Sequence, residues 1–454
     1  MKPLSALERL AEGLPLYNSI SLPFLSRSII GTETEFGYEN AKKNLLPEFT
    51  ENGGRFYVDN GHHPEWATPE TKSPLAATVY ELAGERLVQI YAQYLYKNIV
   101  DAEEQAWGAH ENYYSSMPPT ELKPLGPFLA TRQIYAGAGR QKDGKYMISQ
   151  RPQFIDHLEH KGTQINERGI ICTKNEPHMS TQNRYRIHMI LGDANRSPMT
   201  IWLKLGTTAL VLRLLEEGKL PHIPYDENKI ISDINEIARQ EGDWIMQSTF
   251  PEKMSAVAVQ RLYHSAAKKE YDNHNEQIHD LLEVWDDTLT LLEKDPSKLH
   301  RRIDWLAKRK ILNSYQKIHN LKEDASDLES LDNEYHLVGA HHETPTFDRF
   351  YQEGYFERLV PEELVIDAMQ NPPTNTRAWG RGLMIKYGKK LKENISISKL
   401  VDWEKGIICN SSGKIIQCEM GVPFNTYAHH AFTLKSYYDA TFHVSQSVPS
   451  IKQG

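Results

Sequence analysis

The chain has 454 residues, 39% of them hydrophobic, and 52 Lys+Arg against 60 Asp+Glu leave a formal net charge of −8. Length permits two or three domains, or one large core with an attached module, while the balance excludes wholesale disorder and gives a general nucleic-acid binder no electrostatic footprint. Three scattered cysteines, Cys172, Cys409 and Cys418, suit neither a disulfide scaffold nor a cysteine zinc site.

No apolar run approaches the roughly 20 residues of a membrane span, and the first residues lack the order of a secretory signal. A cytoplasmic enzyme is the expectation. Short β-like runs alternate with longer helical ones, which predicts a mixed α/β or α+β core. Residues 1–27 read as an N-terminal extension. Residues 28–37 and 55–60 read as strands. Ser73-Pro74 opens a helix, with serine as N-cap and proline in the first turn, and Leu75, Val79, Leu82, Leu87 and Ile90 form its apolar stripe. Residues 185–191 predict another strand, and Ser197-Pro198 caps a second helix. From about 230 to 321 the chain is helical and charge-rich, a helical region rather than a linker. Composition changes near Lys389, and the runs 400–408 and 413–418 alternate around Asn410-Ser-Ser-Gly413, a hairpin signal. The expected boundaries are 28–394 for the main domain and 395–454 for a small C-terminal α/β domain.

Chemistry concentrates on strand faces. In Gly31-Thr-Glu-Thr-Glu-Phe-Gly37, Glu33 and Glu35 share one face about 7 Å apart. Such a pair repels unless a divalent cation such as Mg²⁺ offsets it, or the face is simply solvated. In Arg55-Phe-Tyr-Val-Asp59 the residues Arg55, Tyr57 and Asp59 share a face, and Glu65 follows in the next turn. Together these predict an acid-rich sheet surface for Mg²⁺-phosphate; the alternative is an exposed face laced with salt bridges. His110, Glu111 and Asn112 are consecutive and cannot all face one way, so a loop or helix start would explain them. Further candidates are His178, and Arg186 and His188, which share a strand face suited to phosphate or carboxylate. Arg377 and Arg381, four apart, lie on one side of a helix start. The P-loop, dinucleotide, zincin and hydrolase-elbow motifs are absent.

The run Gly31–Gly37, Arg55–Asp59 and His63-Pro-Glu65 resembles the Pup ligase/deamidase family (PafA/Dop), where Pup is the prokaryotic ubiquitin-like protein. The resemblance continues through His110-Glu-Asn-Tyr113, Glu176-Pro-His178, Leu191-Gly-Asp-Ala-Asn195, Leu205-Gly-Thr-Thr-Ala-Leu210 and Pro372-Pro-Thr-Asn-Thr-Arg377. It implies an α+β fold: a glutamine synthetase-like domain whose curved antiparallel sheet, backed by helices, cradles ATP (or ADP with phosphate) and Mg²⁺. By motif match Glu33, Tyr57 and Glu65 are expected at the metal, with Glu35 added from its shared face. Arg55, Thr68, Trp403, Arg377 and Arg381 are expected at the nucleotide, and Asp59 as the catalytic aspartate. The expected partner is Pup or a Pup-like modifier with its conjugated proteins.

Two directions of chemistry stay open. Gly31-Thr32, Ala83-Gly-Glu-Arg86 and Gly192-Asp-Ala-Asn195 are similar to the deamidase/depupylase branch, which cleaves the isopeptide bond or a C-terminal glutamine amide. Only residues 38–54 separate the two active-site strands, without that branch's long insertion, and Ile303-Asp-Trp-Leu-Ala-Lys-Arg-Lys310 is similar to the ligase branch. The hydrolase direction is the first expectation and the ligase the second. A small-molecule carboxylate–amine ligase or an inactive nucleotide-binding scaffold would be the alternatives outside the family. Arg301, Arg302, Lys308, Arg309 and Lys310 line either a groove for an acidic modifier or a solvated helix face.

Overall fold

A computed structural model describes residues 4–41, 48–89, 92–163, 166–174, 184–240, 242–338, 344–390, 403, 405–409 and 415–419. His178 and most of the expected C-terminal domain lie outside the described residues.

The strands are β1 (Ile30–Glu35), β2 (Gly37–Ala41), β3 (Glu48–Phe49), β4 (Arg55–Val58), β5 (Pro64–Ala67), β6 (Ala92–Tyr96), β7 (Ala109–Ser115), β8 (Arg140–Lys142), β9 (Lys145–Met147), β10 (His157–His160), β11 (Gly169–Cys172), β12 (Tyr185–Met189), β13 (Ile245–Met246), β14 (Met254–Ser255), β15 (Lys405–Cys409) and β16 (Ile415–Glu419). The helices are α1 (Ala6–Ala11), α2 (Pro74–Val88), α3 (Gly126–Thr131), α4 (Gln133–Ala136), α5 (Pro198–Glu216), α6 (Ile230–Arg239), α7 (Ala256–Tyr271), α8 (Glu276–Lys294), α9 (Asp304–His319), α10 (Ser326–Tyr335), α11 (Thr346–Gln352), α12 (Glu362–Gln370) and α13 (Ala378–Lys390).

Eight strands form the central sheet in the order β10-β11-β12-β7-β1-β5-β4-β3. Its pairs are antiparallel except β10 with β11, a departure from the expected all-antiparallel sheet. The fold is α+β. Both predicted caps form: Ser73 accepts from the Ala76 amide and Ser197 from the Thr200 amide, satisfying orphan donors of α2 and α5. These helices back the sheet, and their burial extends almost all the way round. Among the described residues, α5 is the one helix long and apolar enough to cross a membrane, and it is a core helix packed inside the protein.

Glu81 on α2 accepts the Thr32 and Thr34 hydroxyls at 2.5 and 2.6 Å, so the sheet's helix-facing side is pinned through polar contacts. Lys97 neutralises Glu81 and Glu85 at 2.8 and 2.6 Å. Removing one member of this group would leave an uncompensated buried charge.

One expectation about organisation changes. The described part of the expected N-terminal extension, residues 4–27, is no appendage: Ala6, Leu10, Leu16 and Tyr17 enter the main core, and Arg9 reaches Asp280 at 2.8 Å. The helical region 230–321 is part of that same core, through Tyr263, Leu281 and Trp285 packed with Phe128 and Leu203. The expected basic helix face is also partly internal. Arg302 is buried on Glu357 and Asp287, and Lys308 is buried on Asp332. The predicted C-terminal hairpin is present as β15 paired with β16.

Candidate active site

Register carries side chains from five strands to one face. Tyr57 and Glu35 both sit opposite Glu65, Arg55 and Glu33 opposite Ala67, Glu33 also opposite His110, and His188 opposite Asn112. Strand alternation then puts Arg55, Tyr57, Glu65, Glu33, Glu35, His110, Asn112, Arg186 and His188 on the same side. The segment around His110 is thus a strand, not a loop or helix start. Alternation sends Glu111 the other way, where it is 1% exposed and held by Arg132 at 2.6 and 2.8 Å. That removes Glu111 from the site.

Glu33 is the hub. One Arg186 nitrogen donates to its two oxygens at 2.8 and 2.9 Å, His188 Nε2 lies at 3.6 Å and His110 Nδ1 at 3.8 Å. Burial pushes its carboxyl up, but Arg186, with His110 and His188, outweighs this and holds it well below the carboxylate range. His188 is driven the other way by burial and by Arg186 and His110, so it stays neutral, and its Nε2 is buried without a hydrogen bond. Ligand atoms of Glu33, His110 and His188 lie within 4.8 Å of one another.

On the other side, Glu65 is 5% exposed, and burial, then Glu33 and Glu35, raise its carboxyl well above the usual range. Burial, Glu33 and Glu65 likewise keep the Tyr57 phenol protonated. Glu35 accepts from the Gly108 amide at 2.8 Å. Crowded carboxylates, an elevated carboxyl and an orphaned imidazole nitrogen are the donor set a divalent cation would satisfy, with the oxygens favouring Mg²⁺.

Asp59 lies just past the end of β4, in a turn rather than in the strand. Its Oδ1 accepts from the His63 amide at 2.6 Å, and its backbone amide donates to the His63 carbonyl at 2.9 Å. It is close enough to Glu65 to raise that carboxyl further.

At the opposite end of β4 a cavity of about 210 Å³ opens, lined by Arg55, Thr68, Glu70, Arg377 and Trp403 together with Glu33 and Arg186. Thr68 Oγ1 accepts from the Thr32 amide at 2.8 Å, tying this wall to the Glu33 strand. Arg381 does not line the cavity. It is fully buried behind it, its guanidinium 4.6 Å from the Trp403 ring centroid and donating to the Trp403 and Gly53 carbonyls at 3.2 and 2.8 Å. Trp403 also meets Phe49 edge-on at 5.1 Å.

Glu70, not singled out from sequence, holds both arginines: Arg377 at 2.6 Å and Arg381 at 2.5 Å. Burial opposes its ionisation, yet Arg381 and Arg377 bring its carboxyl down to about 2. Its sequence signal is an acid two residues after Thr68, to be read beside the distant pair Arg377 and Arg381. Asn112 also belongs to the site, its Oδ1 accepting from Arg186 Nε at 2.7 Å.

The family model described as Pup-ligase protein matches residues 31–406. The chain is 34% identical over 357 residues to the Pup deamidase/depupylase of Mycobacterium tuberculosis, covering 73% of this chain and 70% of that protein. It is 30% identical over 447 residues to the Pup–protein ligase of Mycobacteroides abscessus, covering 87% and 96%. Among solved structures, the ligase PafA in complex with Pup superposes with a TM-score of 0.78 at 27% identity, over 94% of this chain and 98% of that one. PafA in complex with ADP superposes with a TM-score of 0.75 at 29% identity, over 87% and 90%.

Proposed function

Because this chain belongs to the Pup ligase/deamidase family, we propose that it hydrolyses the amide that joins the C-terminal side chain of Pup to a lysine, or the corresponding glutamine amide of Pup, with ATP or ADP and Mg²⁺ in the sheet cradle. The observation that carries the chemistry is the single polar face shared by Glu33, Glu65, Tyr57, Arg55 and Arg186, from which Glu33, Tyr57, Arg55 and Arg186 line the cavity walled by Trp403. The hydrolytic direction is supported by the higher identity to the depupylase than to the ligase.

In this reading Asp59 acts as base on the attacking water, or as nucleophile. With water as nucleophile, its proton passes to Asp59, oxygen bonds to the amide carbon, and the C–N bond breaks. The departing nitrogen takes up a proton to leave as the lysine amine. The His63 amide aims the Asp59 carboxylate. Arg55, Arg377 and Thr68 line the nucleotide side, with Arg381 positioning Trp403 from behind. Arg186 counters negative charge at the centre, where fixed donors stabilise developing charge without reorganisation. Glu33, Glu35, Tyr57 and Glu65 would hold Mg²⁺, with His110 and His188 beside them. The ion supplies charge neutralisation of the phosphates and polarisation of oxygen. The cytoplasm is the expected compartment.

The second reading is the ligase direction, favoured by the near-complete span of the M. abscessus ligase. There the nucleotide's terminal phosphoryl passes to the γ-carboxylate of a C-terminal glutamate. Asp59 takes the proton of the attacking lysine amine, and phosphate leaves. The purified chain with ATP and Mg²⁺ would be given a Pup conjugate and, separately, free Pup ending in Glu with a lysine-bearing protein. Release without conjugation supports the proposal; conjugation without release overturns it in favour of the ligase.

A further inference from the structure

A second cavity, about 350 Å³, lies beyond the catalytic turn and is walled by Glu39, His63, Tyr96, Asn98, Asp101 and Trp107. Its lining offers acceptors and aromatic faces, and among the described residues lining it there is no lysine or arginine. Arg140 donates to the Asp101 carbonyl at 3.1 Å but is itself paired with Glu104 at 2.7 Å.

Asn98 is the informative member. It is 7% exposed, and its Nδ2 donates to the Val100 carbonyl at 2.8 Å. That contact fixes the amide orientation, because a flip would set two oxygens against each other. Asn98 Oδ1 is therefore an acceptor, and it is buried without a hydrogen-bond partner. Such an atom costs free energy until a donor arrives. Trp107 spends its Nε1 on the Asn98 carbonyl at 2.7 Å, leaving the ring to stack on His63 at 4.5 Å. Glu39 is exposed and accepts a long contact, 3.4 Å, from the Tyr96 hydroxyl. Carboxylates, an orphan acceptor and aromatic faces around an apolar-walled pocket fit a primary ammonium on an alkyl stem.

The walls run directly into the catalytic residues. The His63 amide holds Asp59, and Gly108, next to Trp107, holds Glu35. We propose that this cavity is a docking subsite for an unmodified lysine side chain of the conjugated protein substrate, engaged non-covalently by Glu39, Asn98 and the Trp107–His63 stack. The inference rests on the proposed function, in which the substrate is a Pup-conjugated protein whose remaining lysines are unmodified.

The test titrates the full chain with Nα-acetyl-lysine methylamide and, as a neutral isostere, Nα-acetyl-norleucine methylamide. The lysine probe should bind at least tenfold more tightly, Glu39→Lys should abolish that preference, and Asp59→Asn should leave it intact. With the protein substrate, Glu39→Lys should raise KM for the protein several-fold while kcat and the KM for ATP hold. Equal binding of the two probes, or an unchanged preference in Glu39→Lys, overturns the subsite. Absence of any reaction with Pup substrates while the charge preference persists sinks the proposed function and leaves the cation site standing.

Discussion

A single nitrogen of Arg186 sits 2.8 and 2.9 Å from the two carboxylate oxygens of Glu33. The residue expected to hold a metal is therefore already neutralised by an arginine from two strands away. A cation arriving at Glu33 must share it with Arg186 or displace the guanidinium toward the phosphates, where a planar donor fork is well suited. Arg186→Met should weaken nucleotide binding about tenfold and tighten binding of Mg²⁺ alone. Titration calorimetry on each ligand separately checks both signs.

Mg²⁺ binding should release protons. Burial and the neighbouring Glu33 and Glu35 raise the Glu65 carboxyl, so the metal-free site retains a proton there above the usual carboxylate range. A cation favours the carboxylate and expels that proton, so apparent affinity should rise with pH until Glu65 is already ionised without metal. Calorimetry in buffers of different ionisation enthalpy measures the proton count, and Glu65→Gln should abolish the release.

Asp59→Asn should reduce turnover by at least about 10³-fold with nucleotide affinity unchanged. Asp59 lies in the turn beyond β4, whereas the cavity opens at the Arg55 end, and asparagine can still accept from the His63 amide. Single-turnover kinetics with parallel nucleotide titration separates the two; loss of nucleotide binding would relocate the residue's role.

Glu70→Gln should destabilise the fold by about 3–5 kcal/mol, because it strips Arg377 and Arg381 of a buried counter-charge. The pH dependence has a definite sign. The folded carboxyl lies at about 2 against an ordinary 4.5, so its contribution is complete above about 4.5 and is lost as pH falls toward 2. Urea denaturation across that window should show a steeper acid loss for the parent than for Glu70→Gln.

Trp403→Ala should weaken nucleotide binding about tenfold with little effect on global stability, since Trp403 is half-buried against Phe49 and Arg381 at the cavity mouth. Nucleotide titration beside a melting curve tests this pair of outcomes.

Local patterns made much of the site readable. Alternation in β1 alone groups Glu33 with Glu35, and the Ser73-Pro74 and Ser197-Pro198 pairs announce α2 and α5 because caps act within one turn. The same rule in β4 groups Arg55 with Tyr57, but it overextends to Asp59, where the chain has already turned back to pair with His63. Glu111 falls outside the site because its neighbours His110 and Asn112 face it while its own side chain points to the other side of the sheet, onto Arg132.

The amino-acid order by itself determined which side chains share a face within each strand, where the principal helices begin, and the family to which the motifs belong. Those are properties of short stretches, set by backbone periodicity and by caps that reach three residues. Tertiary structure alone decided that His110 and His188 flank Glu33, that Glu70 captures arginines 307 and 311 positions away, and that Ala6, Leu10, Leu16 and Tyr17 enter the core. Register between strands and the pairing of buried charges depend on the whole packed interior, where an unpaired charge is costly and each partner is chosen by geometry rather than by proximity along the chain.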